Sequence, residues 1–553
     1  GIEAGVVVIE RPADMAHGDY ATNAALAYAK KAGMSPRVLA GKLADELLRM
    51  PTEEIKNIEI AGPGFINFRL SDECLKGALA DALAQKEKWG NNESLKGKKV
   101  IVEYTDPNPF KEFHIGHLMS NAIGESISRL VEASSADTKR ACYQGDVGMH
   151  VAKAVHSLIQ NSPDGLSSFA GLSFEEKVMF LGSAYAAGSD TYESGEKWKK
   201  EIAEVNKKIY TRVDPKINEL YDWGRQVSLD YFETIYKKLG TTFDYYFFER
   251  KTGVFGKELV EKNIGKVFEQ GDGGAIVYKG DEAKGLHTRV FVNSEGLPTY
   301  EAKELGLAKI KYDTYPYDTS IVITGNEVNA YFKVLLAAMA EIFPELAEKT
   351  VHISHGMLRL PTGKMSSRTG DVITAEGLID EVKTRVQEKF KEGTFSPDEK
   401  EKVAEQVAIG AIKYSILRQA SGKDIIFDME QSVSFEGDSG PYLQYTHART
   451  CSLLAIAEGK TVDATKFEGE IGTLHKYLLQ FPEVVFRASE EREPHHVTTY
   501  LIELAREFNA FYANTPVLDG APDEPYKLAL VRAVSQTLRN GLKLLGIPTP
   551  ERM

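Results

Sequence analysis

The chain carries Val100-Ile101-Val102-Glu103-Tyr104, then a proline-broken loop through Pro109, and then His114-Ile115-Gly116-His117. The first segment is apolar and rich in β-branched residues, which predicts a buried strand. Apolar residues at steps of three and four from 115 to 130 predict an amphipathic helix after the loop. A strand, a loop and a helix in this order are typical of the first unit of a nucleotide-binding α/β domain with a parallel sheet.

The histidine pair lies where the loop meets the start of the predicted helix. Free backbone N–H groups and the positive end of the helix dipole attract anions there, and imidazoles can donate hydrogen bonds to phosphate oxygens. Gly116 permits close approach of a base or ribose. Taken alone, the motif also fits two helix-terminal histidines without a ligand.

A second candidate phosphate loop contains Lys364-Met365-Ser366-Ser367-Arg368 between Gly363 and Gly370. Lys364 and Arg368 would neutralise charge on a departing pyrophosphate, and the flanking glycines let the loop move. An isolated loop of this kind fits a solvated basic turn at least as well. The two motifs therefore indicate nucleotide chemistry only as a pair.

The α/β pattern is flanked and interrupted by other elements. Long helical stretches rich in Lys, Glu and Tyr predict an insertion, after which strand signals return at 321–323 and 351–353. Because a strand-like run begins almost at Gly1, we expect the N-terminal domain to lack its first helix. The predicted fold class is multidomain α/β, with a small α+β N-terminal domain (1–72), a split Rossmann-type domain (96–150 and 290–375), an insertion (151–289), a helical stem (376–440) and an all-α C-terminal domain (441–553).

Composition narrows the class of protein. With 553 residues, 42% hydrophobic and 27% charged, the chain is expected to form several globular cores. Its three cysteines, Cys74, Cys142 and Cys451, have no metal-ligand spacing and predict small buried side chains in a reducing compartment.

No apolar run approaches the roughly 18 to 20 residues that span a bilayer. A net charge of −13 argues against a general nucleic-acid coat protein but leaves room for a local basic groove. We expect a cytoplasmic protein without a membrane partner, a metal site or a permanently bound cofactor.

The two motifs, in this order, resemble those of class I aminoacyl-tRNA synthetases. Four further stretches resemble arginyl-tRNA synthetase within that class: Val102-Glu103-Tyr104-Thr105-Asp106-Pro107-Asn108-Pro109-Phe110-Lys111, Ser294-Glu295-Gly296-Leu297-Pro298-Thr299-Tyr300, Gly440-Pro441-Tyr442-Leu443-Gln444-Tyr445-Thr446-His447-Ala448-Arg449, and the C-terminal blocks from Leu501 and Gly541. The resemblance implies ATP-dependent ligation of L-arginine to tRNA(Arg) through arginyl-adenylate, with ATP and Mg²⁺ as substrate. It further implies that residues 1–72 contact the tRNA elbow, that residues 441–553 bind the anticodon, and that activation requires bound tRNA. We expect a monomer.

The resemblance also assigns residues to the site. They are His114, His117, Lys111, Lys364 and Arg368 for catalysis; His114, Gly116, His117, Met357, Lys364 and Ser366 for ATP; Glu103, Asn108, Tyr300, Glu304 and Asn326 for arginine; and Phe65, Asn67, Arg449 and Arg539 for tRNA. A guanidinium has five N–H donors, which carboxylates and planar acceptors satisfy. For RNA, an aromatic face can stack on an unpaired base while an amide reads its edge.

Several of these positions depart from the family pattern. Glu304 stands where Asp is usual, Val147 and His150 where Trp and Gln are usual, and Ser367 where a second lysine is usual. Lys111 is the best placed residue to supply the missing positive charge. Glu103 and Glu304 also fit solvated carboxylates, and Phe65 fits an ordinary strand residue. Two rival functions remain: another class I synthetase, and a tRNA-binding relative without catalysis, against which the intact motifs argue.

Overall fold

A four-stranded antiparallel sheet packed against helices forms the start of the chain. The computed structural model describes residues 5–12, 14–50, 52–359, 374–390, 395–465 and 471–553. The first elements are β1 (Ile9–Glu10), β2 (Tyr20–Thr22), α1 (Ala24–Ala32), α2 (Pro36–Arg49), β3 (Ile55–Ala61), β4 (Phe65–Leu70) and α3 (Asp72–Gln85), with sheet order β1-β2-β4-β3. Ser35 caps α2 by accepting a hydrogen bond from the N–H of Val38, and Pro36 follows at the first helical position. The α+β unit confirms the sequence prediction.

Five parallel strands form the central sheet. The elements from its first strand onward are β5 (Lys99–Glu103), α4 (Ile115–Ala133), β6 (Asp137–Gln144), α5 (Met149–Asn161), α6 (Phe174–Glu193), α7 (Glu196–Thr211), α8 (Pro215–Leu239), β7 (Tyr245–Phe248), α9 (Glu249–Lys262), β8 (Glu269–Gln270), β9 (Ile276–Tyr278), β10 (Arg289–Val292), α10 (Tyr300–Thr314), β11 (Thr319–Gly325), α11 (Asn329–Ile342), α12 (Pro344–Lys349), β12 (Thr350–His355) and β13 (Leu358–Arg359). The strand order is β12-β11-β5-β6-β7, and every neighbouring pair is parallel. The predicted strand, loop and helix at 100–130 are confirmed.

The predicted insertion at 151–289 is wrong in part, because β7 lies within it and pairs with β6 in the central sheet. Helices α5 to α8 do form a separate body with its own core, into which Phe110 of the β5–α4 loop is buried. The four aromatic residues of β7 sit between long helices, and a strand paired in a parallel sheet has no alternating polar pattern. That run was too short to be recognised from sequence.

The chain after Thr374 is mostly helical, as predicted. It contains α13 (Ala375–Lys389), α14 (Pro397–Leu417), β14 (Ile425–Ile426), α15 (Met429–Ser432), α16 (Gly440–Ile456), α17 (Thr473–Glu491), α18 (His495–Asn514) and α19 (Glu524–Leu544). One hydrophobic core runs from α4 through α13 and α14 into the helices of the C-terminal domain. The helix that follows the first motif therefore shares its packing with the C-terminal helices.

Polar contacts attach the N-terminal domain to α17. Lys476 Nζ lies 2.7 Å from an oxygen of Asp19, and Arg11 Nε lies 2.9 Å from Glu483, which also bonds the hydroxyl of Tyr20. Asp19 and Tyr20 are thus used in a contact between domains.

The three cysteines are all free thiols. Cys142 is buried, but Cys74 and Cys451 are only partly buried. The expectation of burial is therefore confirmed for one of the three.

Candidate functional site

A cavity of about 510 Å³ lies at the carboxyl edge of β5 and β11. From β5 the chain crosses to β6 on one side, and from β11 it crosses to β12 on the other, so adjacent strands lead away in opposite directions. Ligands of open parallel sheets bind at such a switch point. Seven residues assigned from the sequence line the cavity: Glu103, Asn108, His114, Gly116, His117, Tyr300 and Glu304.

The β5–α4 loop, residues 104–113, has a strained backbone. Thr105, Asp106 and Phe110 adopt φ values of 81°, 44° and 67°, in the left-handed region that side chains disfavour. Three hydrogen bonds hold this shape, from Thr105 N to Ser120 Oγ at 2.9 Å, from Tyr143 N to Asp106 Oδ1 at 2.7 Å and from Phe110 N to Ser228 Oγ at 2.9 Å. The loop is therefore fixed by α4, β6 and α8 together.

The two histidines of the first motif stack on each other, with ring centroids 3.6 Å apart. His114 Nδ1 accepts a hydrogen bond from the N–H of Gly116 at 3.1 Å, and His117 Nδ1 accepts one from the N–H of His114 at 3.2 Å. Burial lowers the pKa of both imidazoles, so both are neutral at neutral pH. Because each Nδ1 is an acceptor, the remaining proton lies on Nε2, and each ring offers one donor at the start of α4.

Gly116 is required by the imidazole beside it. A Cβ at this position would lie 2.9 Å from Cε1 of His114. The glycine therefore lets His114 fold back to cap α4, a role that sequence reasoning did not assign to it.

Acidic groups dominate the cavity wall. Among the described residues that line it, six are carboxylic acids (Glu103, Asp106, Glu249, Glu301, Glu304 and Glu327) and one, Arg289, is a Lys or Arg. Two acids form buried ion pairs with lysines behind the wall, Glu103 with Lys311 and Glu249 with Lys303, both at 2.6 Å.

Three of the six acids lack an ion-pair partner among the described lysines and arginines: the exposed Glu327, and Asp106 and Glu304. Asp106 and Glu304 form no ion pair with a lysine or arginine in the described parts of the chain. Burial, and after it the charge of Glu103, raises the pKa of both carboxyls well above the ordinary range. The cavity therefore carries acidic groups that a cationic ligand would stabilise in their ionised form.

Neutral side chains complete the wall. Tyr300 begins α10 one turn before Glu304, so the two share a helix face. A Cβ at Gly145 would lie 2.2 Å from Oδ1 of Asn108, which places the Asn108 amide directly against the backbone after β6. His150 bonds the carbonyl of Gly145 through Nε2 at 2.8 Å.

Three further residues assigned to catalysis, ATP and arginine are described by the structure, Lys111, Asn326 and Met357, and they do not line the cavity. Asn326 lies between two lining residues, and Met357 is half-exposed and bonded through its N–H to Asp424. Lys111 Nζ lies 5.5 Å from the ring centroid of Tyr185 on α6. Burial is the main cause that lowers the pKa of His114 and of His117, and the charge of Lys111 lowers both further. The assignments to Lys364, Ser366 and Arg368 fall outside the described residues.

The residues assigned to tRNA lie in the two flanking domains. Phe65 is 37% exposed, whereas Asn67 on the same strand is buried. Arg449 donates to Asn509 at 2.6 Å and lies over Tyr445, and Arg539 pairs with Glu551 at 2.6 Å. Phe65 is thus the more accessible of the two assigned residues on β4.

Sequence reasoning missed Asp106 and Glu249. Asp106 stood within a quoted string but resembled an ordinary Asp-Pro turn. Glu249 directly follows β7, and a carboxylate at the carboxyl end of a parallel strand is a recognisable signal. Because β7 lies within the predicted insertion, the sequence alone does not place Glu249 at the edge of the central sheet.

The described segments show neither a metal cluster nor a membrane helix. No three of their His, Cys, Asp or Glu side chains are grouped to hold a metal ion. None of their helices combines the length and apolarity that crossing a bilayer requires.

Three family models match the chain. They are described as "tRNA synthetases class I (R), catalytic domain" over residues 78–429, "DALR anticodon binding domain" over 443–553, and "Arginyl tRNA synthetase N terminal domain" over 2–70.

Curated relatives and solved structures match over the full length. The arginine–tRNA ligase of Treponema pallidum is 31% identical over 571 residues, covering 100% of this chain and 96% of that protein. That of Lactobacillus delbrueckii is 31% identical over 562 residues, with 99% and 96% covered. Among solved structures, Thermus thermophilus arginyl-tRNA synthetase has a TM-score of 0.80 at 27% identity, covering 99% of this chain and 96% of its own. The Plasmodium falciparum enzyme has a TM-score of 0.77 at 20% identity, with 99% and 95% covered, and supports the fold alone.

Proposed function

Since this chain belongs to the arginyl-tRNA synthetase family of class I and joins arginine to tRNA for translation, we propose that the acidic cavity binds L-arginine and that ATP lies against His114 and His117. The observation that carries the assignment is the pair of carboxyls, Asp106 and Glu304, that lack a cation beside the helix start of α4. A guanidinium supplies the positive charge and the planar donors that such a wall accepts. Glu103, Asn108 and Tyr300 complete the arginine contacts.

The first reaction step needs positioning and charge stabilisation and no protein nucleophile. A carboxylate oxygen of arginine attacks the α-phosphorus of ATP in line, the bond from that phosphorus to the bridging oxygen breaks, and pyrophosphate leaves with the electron pair. The Nε2–H groups of the two histidines and the start of α4 donate to the phosphate oxygens. ATP enters with Mg²⁺, which neutralises phosphate charge. Lys111, together with Lys364 and Arg368, supplies further positive charge.

In the second step a ribose hydroxyl at the end of tRNA attacks the carbonyl carbon of arginyl-adenylate. The ester to ribose forms, the bond from the carbonyl carbon to the phosphate oxygen breaks, and AMP leaves. The helices from α16 onward bind the anticodon, and Phe65 of the N-terminal domain contacts the tRNA elbow. Activation is proposed to require bound tRNA, and the protein is proposed to act as a cytoplasmic monomer.

Charging of mixed tRNA with each of the twenty amino acids tests the function. We expect attachment of arginine alone, together with arginine-dependent exchange of pyrophosphate into ATP that needs tRNA. Charging with a different amino acid would contradict the arginine assignment. Rapid exchange in RNA-free protein that added tRNA leaves unchanged would contradict the tRNA requirement.

Arginine binding is expected to release protons at a pH above the ordinary carboxyl range. Asp106 and Glu304 have raised pKa values, so they hold protons at a pH where ordinary carboxyls are ionised. Because the guanidinium stays charged and favours the ionised carboxylates, affinity for arginine should rise as pH rises through the raised pKa and fall as pH drops. Titration calorimetry in two buffers of different ionisation enthalpy measures the number of protons released.

Glu304→Gln is the comparison for that measurement. It removes one titrating group, so it should release fewer protons and flatten the dependence of arginine affinity on pH. Binding without proton release at every pH above the ordinary carboxyl range would show that the carboxyls are already ionised, and the assignment of the pair would fail.

A further inference from the structure

The carboxyl end of α19 is capped by side chains of the catalytic domain. The last carbonyls of a helix have no partner within the helix and need donors from elsewhere. Here the carbonyl of Lys543 accepts from Arg129 Nη1 at 2.8 Å, that of Leu544 from Ser126 Oγ at 3.0 Å and that of Gly546 from Lys413 Nζ at 2.8 Å. Ser126 and Arg129 belong to α4, the helix that begins at His114.

The same two cations also cap α8. Lys413 Nζ donates to the carbonyl of Leu239 at 2.6 Å, and Arg129 Nη2 donates to that of Gly240 at 2.9 Å. Positive charge at the carboxyl end of a helix is favourable. We call Ser126, Arg129 and Lys413, with the five carbonyls they bind, the helix junction.

From the helix junction, hydrogen bonds lead to Tyr104, the chain neighbour of two residues that line the acidic cavity. Arg129 Nε pairs with Glu125 at 2.7 Å, and Glu125 accepts from the hydroxyl of Tyr104 at 2.5 Å. Tyr104 is fully buried and lies between Glu103 and Thr105 in the chain. Burial alone would raise the pKa of Glu125, but Arg129 and Arg140 lower it to about 2, so this carboxylate stays charged.

A second route runs along α8. Ser228 of this helix accepts from the N–H of Phe110 in the strained loop, and its Tyr231 donates to Glu376 at 2.7 Å, at the start of α13. Displacement of the α8 end would therefore reach the loop that leads to His114.

Through Lys413, the helix junction depends on the positions of the ends of α8 and α19. The side chain is fully buried, and no carboxylate of the described segments forms an ion pair with it. Burial, and after it the charge of Arg129, lowers the pKa of Lys413 to about 7. If α19 or α8 moved away, a buried donor would lose its acceptor, which is unfavourable. The two helix ends are therefore held in register.

We propose that Lys413 is a positioning residue, which couples the placement of α19 in the anticodon-binding domain to the β5–α4 loop and the arginine cavity. The inference rests on the proposed function, since it gives the physical route by which bound tRNA promotes activation. Lys413 touches neither arginine nor ATP. It acts through α8, Arg129 and Glu125.

The experiment compares Lys413→Met with the parent protein in single-turnover formation of arginyl-adenylate, at saturating arginine, ATP and tRNA. We expect the tRNA-stimulated rate to fall at least about tenfold, while the Kd for tRNA and the KM for arginine stay within about threefold. Lys237→Met is the matched control. Lys237 is exposed in the last turn of α8, one of the two helices that Lys413 caps. It removes a positive charge there without removing a junction bond, and it should behave like the parent.

Three results would overturn the proposal. One is a rate near that of the parent with only a lower thermal midpoint, which would leave Lys413 a role in stability. Another is a loss of tRNA binding as large as the loss of rate. If Lys413→Met does not fold, Ser126→Ala takes its place, since it removes a single neutral bond to α19. The third result is an unchanged tRNA-stimulated rate in Ser126→Ala. Charging by the parent protein tests the proposed function separately.

Discussion

Glu103→Gln is expected to lower kcat/KM for arginine at least about a hundredfold while changing the KM for ATP far less. Glu103 is 1% exposed and shares its carboxylate between Lys311 and the cavity. Replacing it removes the negative charge from that wall and leaves the buried Lys311 ammonium without its counter-ion. Breaking a buried charged pair costs about 3 to 5 kcal/mol, which corresponds to two or more orders of magnitude in kcat/KM. Steady-state charging with arginine and ATP varied in turn separates the two effects.

Lys311→Met is the control for the ion pair. It breaks the same contact from the other side but keeps the carboxylate at the cavity. If Glu103 contacts arginine, Lys311→Met should lower thermal stability and retain most of the arginine kcat/KM. Equal losses in both variants would mean that Glu103 acts only by holding Lys311, and its assignment to arginine would be withdrawn.

Lys111→Met is expected to slow arginyl-adenylate formation at least about a hundredfold, with the KM for ATP changed much less. The second motif has Ser367 where its usual form has a second lysine, so charge on the α- and β-phosphates needs another partner. Loss of one preorganised donor typically slows kcat by about 10²- to 10³-fold. Lys111 lies three residues before His114, and its charge acts on both histidines of the first motif. Single-turnover measurement with tRNA present isolates this step.

Two companion variants locate the compensating charge. Partial rescue of Lys111→Met by Ser367→Lys would support direct replacement of the missing lysine. If instead Lys111→Met stays within a few-fold of the parent while Arg368→Met loses most of its rate, the charge lies in the second loop and the assignment of Lys111 is wrong. The contact between Lys111 and Tyr185 makes this comparison necessary, because the ammonium lies beside α6.

Local signals in the sequence were sufficient for much of the fold. The run at 100–104 and the helical spacing after it identify β5 and α4, and Ser35-Pro36 marks the start of α2. These features depend on residues close together in the chain. Their physical causes, side-chain periodicity and helix capping, act over a few residues.

Long-range pairing was beyond sequence reasoning. Lys311 neutralises Glu103 from 208 positions away, and no local pattern joins the two. Asn67 has an amide side chain of the kind that reads base edges, but its burial depends on how β4 pairs with β2 and β3. The place of Asp106 in the cavity wall depends on a left-handed backbone conformation, which an aspartate side chain disfavours. The cavity residues that were found were recognised by family resemblance, and those that were missed needed the sheet order.

The strained β5–α4 loop has a consequence for how the enzyme is made. The residues that hold its three left-handed positions, Ser120, Tyr143 and Ser228, all come later in the chain, and Ser228 is 118 positions beyond Phe110. A nascent chain leaving the ribosome therefore contains both histidines long before it contains what shapes the loop. Left-handed residues cost about 1 kcal/mol or more each without such support, so we expect the loop to relax in fragments that end before Ser228. Chains that end before Ser228 accordingly lack the formed loop on which the proposed arginine and ATP sites depend.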